Sequence, residues 1–116
     1  MTGGLDMTPK IADQPTGALR KRFFVYIMAS RKDGVLYVGV TSGLQNRVWR
    51  HREGVVDGFT QKYFVRRLVY FEEHPNAETA IAREKQLKGW RRAWKIALIG
   101  KANPDWLDLW GEIAVP

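Results

Sequence analysis

FVYIMASRKDGVLYVGVTSGLQNRVWRH, residues 24–51, decides how this chain is read. The stretch holds most of two runs, RFFVYIMAS (22–30) and VLYVGV (35–40), both rich in the aromatic and β-branched residues that fill strands. The RKDG between them carries an Asp-Gly turn signal, so a β-hairpin is expected. An odd-to-even register across that turn puts Tyr26, Tyr37 and Gly39 on one face. Gly39 then leaves room for a group to come close to the backbone. TSGLQNRVWRHRE (41–53) follows as a helix, with Thr41 or Ser42 placed to cap it. Leu44, Val48 and His51 fall at i, i+4 and i+7, a buried stripe that Arg47 and His51 border while Arg50 and Arg52 point elsewhere. One hairpin and one helix thus gather two tyrosines, an arginine and a histidine.

Outward from that unit, the chain reads as one domain. Residues 1–20 mix Gly, Pro, Thr and Asp without periodicity and are expected to form a disordered tail. GVVDGFTQKY (54–63) reads as a loop, and FVRRLVYFEE (64–73) alternates as a third strand. Asn76 is a good N-cap for the next helix, Glu78 suits its positive end, and Gly89 breaks or caps it. WRRAWKIALI (90–99) is a second, shorter helix. NPDWLDLW (103–110) reads as a last short helix, on which Trp106 and Trp110, spaced i, i+4, clamp the C-terminus to the body. Residues 111–116 read as a C-terminal tail, leaving 21–110 as the domain. The expected fold is α+β: a small three-stranded antiparallel sheet flanked by helices, in the order β-β-α-β-α-α.

Composition narrows the function. A chain of 116 residues with 45% hydrophobic content can bury a core without a disulfide or metal staple. It has no cysteine, which excludes a disulfide framework and a zinc-thiolate site. No apolar run reaches the ~18 residues needed to span a bilayer, and the N-terminus lacks the pattern of a signal peptide, so a cytoplasmic location is expected. The net charge of +7 favours a polyanionic partner, most often nucleic acid, over a merely solvated surface.

Some residues sit oddly for a plain core. Glu84 lies three residues from Ile81 and from Leu87, on one helix face with both. A carboxylate there must be paired, hydrogen-bonded or metal-bound. The plain alternative is a salt bridge to Arg83, Lys88 or Arg47, or a snorkelling rim residue. Taken singly, the tyrosines read as core residues with hydroxyls at the rim, His51 as a satisfied histidine and Arg47 as a surface cation. Together they could converge over one sheet face to activate water, hold a phosphate and bind a divalent cation. Arg91, Arg92 and Lys95 line the outer side of the last long helix, as phosphate-backbone contacts or as a solvated face. The five tryptophans read as packing rather than base-stacking.

The order FVY (24–26), YVG (37–39), NRVWRH (46–51) resembles the GIY-YIG nuclease domain. The family's two motif tyrosines stand about as far apart as Tyr26 and Tyr37, and its arginine follows on the first helix with a histidine or lysine nearby. Glu84 in AIAREKQLKGW matches the family's metal-binding glutamate, and Asn103 in KANPDW matches its asparagine. The resemblance covers residues 22 to about 107 and is closest to the small stand-alone bacterial members. It is also similar to the nuclease domain of bacterial excision-repair proteins and of some homing endonucleases. Phe24 and Val25 stand in place of the first triplet's Gly and Ile, and Val38 in place of the second's Ile; these are apolar exchanges at strand positions.

The resemblance implies a metal-dependent endonuclease that hydrolyses phosphodiester bonds in DNA, in repair or recombination, with one Mg²⁺ or Mn²⁺ and no small-molecule cofactor. It implies Glu84 as the metal ligand and Tyr26 as general base on the attacking water. Arg47 would neutralise charge building on the phosphate, and Tyr37 would hydrogen-bond the phosphate or the water. His51 would assist Tyr26 or contact phosphate, and Asn103 would orient Glu84 or the C-terminal segment. Gly39, Thr41, Lys62, Arg91, Arg92 and Lys95 are expected to lie against the substrate. The alternative is a non-catalytic nucleic-acid-binding module on the same fold, whose binding would fall steeply with salt and ignore Glu84→Ala.

Overall fold

The computed structural model describes residues 22–55 and 58–114, so the expected tail over 1–20 lies outside the described residues. Three strands, β1 (Phe23–Ala29), β2 (Leu36–Thr41) and β3 (Arg67–His74), form an antiparallel sheet in the order β2-β1-β3. Five helices follow in the chain order: α1 (Leu44–Arg52), α2 (Gly58–Lys62), α3 (Ala77–Gly89), α4 (Arg92–Ala102) and α5 (Trp110–Ile113). The fold is α+β in the expected order, with two one-turn helices added.

β1 is central and covered on both faces, which is why FFVYIMA is apolar almost throughout. Its odd residues Val25, Ile27 and Ala29 pack with Val38 and Val69 beneath Ala80 and Leu87 of α3 and Ile99 of α4. Its even residues Tyr26 and Met28 pack with Leu68 beneath Leu44 and Val48 of α1, with Trp110 and Ile113 alongside. Each such aliphatic side chain contributes about 1.5–3 kcal/mol when fully buried. The sheet is thereby a partition: α1 lies on one face, α3 and α4 on the other.

The structure departs from the sequence reading at segment ends. Neither Thr41 nor Ser42 caps α1: Gly43 occupies the cap position with no side-chain bond. Thr41 ends β2 instead, and its Oγ1 accepts the Gly43 N–H at 3.0 Å to turn the chain into the helix. The 54–63 loop contains α2, a single turn too short to show a period. NPDWLDLW is not a helix. Trp106 has φ +53°, a left-handed backbone that interrupts helical continuation, and the helix forms only at Trp110–Ile113, inside the segment read as a tail from residue 111. Trp106 and Trp110 therefore share no helix face. Trp106 belongs to the α3/α4 core and Trp110 to the α1 core, so the chain between them passes from one face of the sheet to the other beside the edge strand β3. Along that passage Leu109 N–H donates to Leu68 O and Arg67 Nη1 to Trp106 O. Of the other tryptophans, Trp49 and Trp94 are half exposed, Trp94 with its ring edge-on to Trp90.

Asn76 does cap α3, its Oδ1 accepting Thr79 N–H at 2.9 Å, and Gly89 is the last residue of that helix. A polar network ties α3 to β3. Glu72 accepts from Tyr70 Oη at 2.5 Å and Arg83 Nε at 3.0 Å, and its Oε2 lies 2.6 Å from His74 Nε2. Burial, then the hydrogen bond to Glu72 and its charge, pushes the Tyr70 phenol up to about 12. For Glu72, burial works upward but is outweighed by the bonds from Tyr70, His74 and Arg83 and by the Arg83 charge, so its carboxyl lies below the usual range. A depressed carboxyl pKa adds stability that is fully present above the unfolded value and is lost as pH falls through the folded one. Acid unfolding of the wild type is therefore expected to include a Glu72 component. Glu72→Gln should lower stability at neutral pH and flatten that part of the acid limb, measured by chemical denaturation across the acid range.

Candidate active site

The hairpin register places the site. Tyr26 pairs across with Gly39 and Met28 with Tyr37, so Tyr26, Tyr37 and Gly39 face α1 together. The Tyr26 phenol lies directly against residue 39, where a Cβ would collide with its Cζ and Oη. Only glycine permits that position. Gly39→Ala is expected to cost about 1–3 kcal/mol through overpacking and to displace the phenol, to be checked by denaturation and by cleavage rate in parallel.

His51 comes down from the last turn of α1, 1% exposed, and its Nε2 lies 3.1 Å from Tyr26 Oη. Tyr37 stacks over the pair, its ring 6.4 Å from Tyr26 and 5.1 Å from His51. Tyr26 is wholly buried and Tyr37 partly exposed, so the tyrosines form an inner and an outer layer. Arg47 lies one turn before His51 on the same helix, partly exposed, with no side-chain ion pair among the described residues.

Glu84 approaches from the other face of the sheet, on α3. Its carboxylate is 13% exposed, and Oε2 holds Lys88 Nζ at 2.6 Å. That is the salt bridge the plain reading of the sequence allowed. Lys88 in turn lines a cavity of about 260 Å³ with Tyr37, Phe59 and Lys95. The Glu84 hydrogen bond, opposed by burial and aided by the Glu84 and Tyr37 charges, raises the Lys88 pKa. Glu84 and Tyr37 are thus joined through Lys88 beside β2, the other edge of the sheet. Among the described residues no three Asp, Glu, Cys or His side chains cluster as metal ligands. Glu84 nonetheless already holds a compact cation, the lysine ammonium, in a partly buried position. A hard carboxylate oxygen of this kind suits Mg²⁺, which keeps most of its coordination for water and substrate oxygens.

The basic residues expected on the last long helix separate. Lys95 lies in the Tyr37 cavity. Arg92 Nη2 donates to the carbonyls of Asp33 and Gly34, both at 2.7 Å, and so pins α4 to the hairpin turn. Arg91 stacks on Trp94. Lys62 ends α2 over the ring of Tyr63. Asn103 is buried, with its amide bonded to backbone: Nδ2 donates to Val69 O and Leu107 O, and Oδ1 accepts from Leu107 N. Of its two expected duties, these bonds serve the C-terminal segment. Thr41 spends its hydroxyl on the turn into α1. Sequence reasoning did not single out Phe59, whose only signal was an aromatic residue in a loop; it named Lys88 only as one possible salt-bridge partner of Glu84, not as a lining residue beside Tyr37.

The chain is similar in sequence to a known family. The GIY-YIG catalytic domain family matches residues 22–97, a span that holds both tyrosines, Gly39, Arg47, His51 and Glu84. A UPF0213 protein of Pediococcus pentosaceus is 35% identical over 79 residues, covering 68% of this chain and 82% of the relative. One from Clostridium perfringens is 37% identical over 80 residues, covering 69% and 85%. The solution NMR structure of the UPF0213 protein of Bacillus halodurans covers 82% of this chain and 99% of its own, at 25% identity and a TM-score of 0.49. With the two tyrosines layered over Gly39 and a family match across two-thirds of the sequence, the chain belongs to the GIY-YIG catalytic domain family.

Proposed function

We propose that this protein is a metal-dependent endonuclease that hydrolyses phosphodiester bonds in DNA, acting in repair or recombination. Its family is one of nucleases. The observation that carries the reading is the buried Tyr26–His51 pair, 3.1 Å apart beneath Tyr37. A tyrosine hydroxyl with an ordinary pKa near 10 is a poor base at neutral pH and needs an acceptor for its own proton. His51 Nε2 supplies one when its tautomer leaves that nitrogen unprotonated.

In the proposed step the attacking water gives its proton to Tyr26 Oη while Tyr26 passes its own to His51 Nε2. The new O–P bond forms as the bond to the leaving oxygen breaks. That oxygen departs with the bonding electron pair and takes a proton from solvent, and His51 later returns its extra proton to solvent. Tyr37, the partly exposed layer, hydrogen-bonds a phosphate oxygen; Tyr26 is fully buried, so water reaches its Oη only by a local rearrangement. His51 is buried too, which suits the assisting role rather than a phosphate contact. Arg47 offers planar donors to the phosphate as charge builds on it. Glu84 would hold the divalent ion, which when bound would supply Lewis-acid charge to the phosphate. Glu84 would exchange Lys88, which it holds at 2.6 Å, for that ion.

The test is incubation with supercoiled, single-stranded and branched DNA in Mg²⁺, Mn²⁺ or EDTA. Cutting only with metal supports the reading. Salt-sensitive binding with no cutting under any condition leaves the non-catalytic module.

A further inference from the structure

Three aromatic side chains stand exposed within six residues of one another: Phe59 at 45%, Tyr63 at 43% and Phe64 at 64%. They sit on and just after α2, and they connect to the site. The Tyr37 ring lies 6.3 Å from Phe59, and Phe59 lies 5.1 Å from Tyr63, so a ladder of tilted rings runs outward from the partly exposed Tyr37. Cations accompany it. Lys62 Nζ lies 5.4 Å over Tyr63, the Arg66 guanidinium 4.6 Å over Phe64, and Lys88 and Lys95 line the cavity between Tyr37 and Phe59.

Exposed apolar area of this kind marks a contact surface. Its composition identifies the partner. A protein-docking patch needs no row of cations at its rings, and a duplex offers its phosphates but keeps its base faces stacked inside. Rings alternating with lysine and arginine match a strand whose bases are free to stack and whose phosphates need neutralising. We infer that the Phe59–Tyr63 ladder is a stacking platform that seats unpaired nucleotides beside the scissile phosphate, which makes a single strand or the unpaired arm of a branched structure the preferred substrate. This rests on the nuclease reading for its biological meaning, but the binding it requires does not depend on cleavage.

The experiment is fluorescence-anisotropy binding of the full chain, in EDTA, to a labelled oligo(dT) and to a blunt hairpin duplex of equal nucleotide number. Wild type is expected to bind the single strand more tightly. The double variant Phe59→Ala/Tyr63→Ala is expected to lose single-strand affinity about ten-fold or more while duplex affinity hardly moves, and Phe59→Trp is expected to retain it. Circular dichroism confirms folding of each variant, and Phe59→Leu/Tyr63→Leu, which keeps apolar bulk but no π-face, should behave like the alanine pair. Equal affinity for strand and duplex, no binding to either, or single-strand binding indifferent to both double variants overturns the proposal. Strand binding through Phe59 with no cutting in Mg²⁺ or Mn²⁺ would remove the nuclease reading and leave the platform. Metal-dependent cutting unaffected by the ladder variants would do the reverse.

Discussion

Glu84→Gln is expected to lower metal-dependent cleavage by about 10³-fold or more, with little change in stability. The substitution keeps the shape of the side chain and removes the charge proposed to hold a divalent cation. A metal ion on a phosphoryl oxygen contributes several kcal/mol to the transition state, and each ~1.4 kcal/mol is ten-fold in rate. The structural cost is small because the partner, Lys88, has a side chain 55% exposed and returns to water. An i, i+4 pair of this type contributes only about 0.3–0.5 kcal/mol to a helix. Initial rates together with an equilibrium denaturation curve separate the two effects: rate should collapse while the midpoint barely moves. Equal loss of both would make Glu84 a structural residue.

Tyr26→Phe is expected to slow cleavage by about 10²–10⁴-fold, the range over which a positioned proton-transfer group acts. Here stability should fall as well, by about 1–3 kcal/mol, because His51 is 1% exposed and loses the hydroxyl that lies 3.1 Å from its Nε2. In the proposed mechanism the two residues share one proton path, so their effects should not add. His51→Ala in the Tyr26→Phe background should cost far less than His51→Ala alone, and a double-mutant cycle on rate measures the coupling. Additive losses would mean that His51 acts independently of Tyr26.

Much of the fold could be read from residues 24–51. The Asp-Gly turn and odd-even parity place Tyr26, Tyr37 and Gly39 on one face, as the register shows. The i, i+4, i+7 spacing buries Leu44, Val48 and His51. These are local signals, set by the strand and helix periods. The sequence reading went astray where tertiary contacts override local chemistry. NPDWLDLW has the composition of a short helix, but Asn103 bonds to Val69 O and a left-handed Trp106 turns the chain past β3, so the helix starts four residues after Trp106. Arg92 was legible as a cation on a helix, while its bonds to the hairpin turn, 58 and 59 residues away, were not.

The candidate site divides the same way. Its inner layer follows from parity and spacing. Its Glu84–Lys88 salt bridge was open to an i, i+4 reading, but how α3 lies over the sheet decides that Lys88 shares a cavity with Tyr37. The Phe59–Tyr63 ladder gave no readable pattern because α2 is only five residues long, under two turns of helix.

Nicking of supercoiled plasmid by wild type, Tyr26→Phe and Glu84→Gln, each with Mg²⁺ and with EDTA, tests the central claim most directly. The account predicts nicking by the wild type in Mg²⁺ alone and its loss in both variants. Nicking that persists unchanged in both would contradict it, since then neither the buried phenol nor the α3 carboxylate takes part in the chemistry.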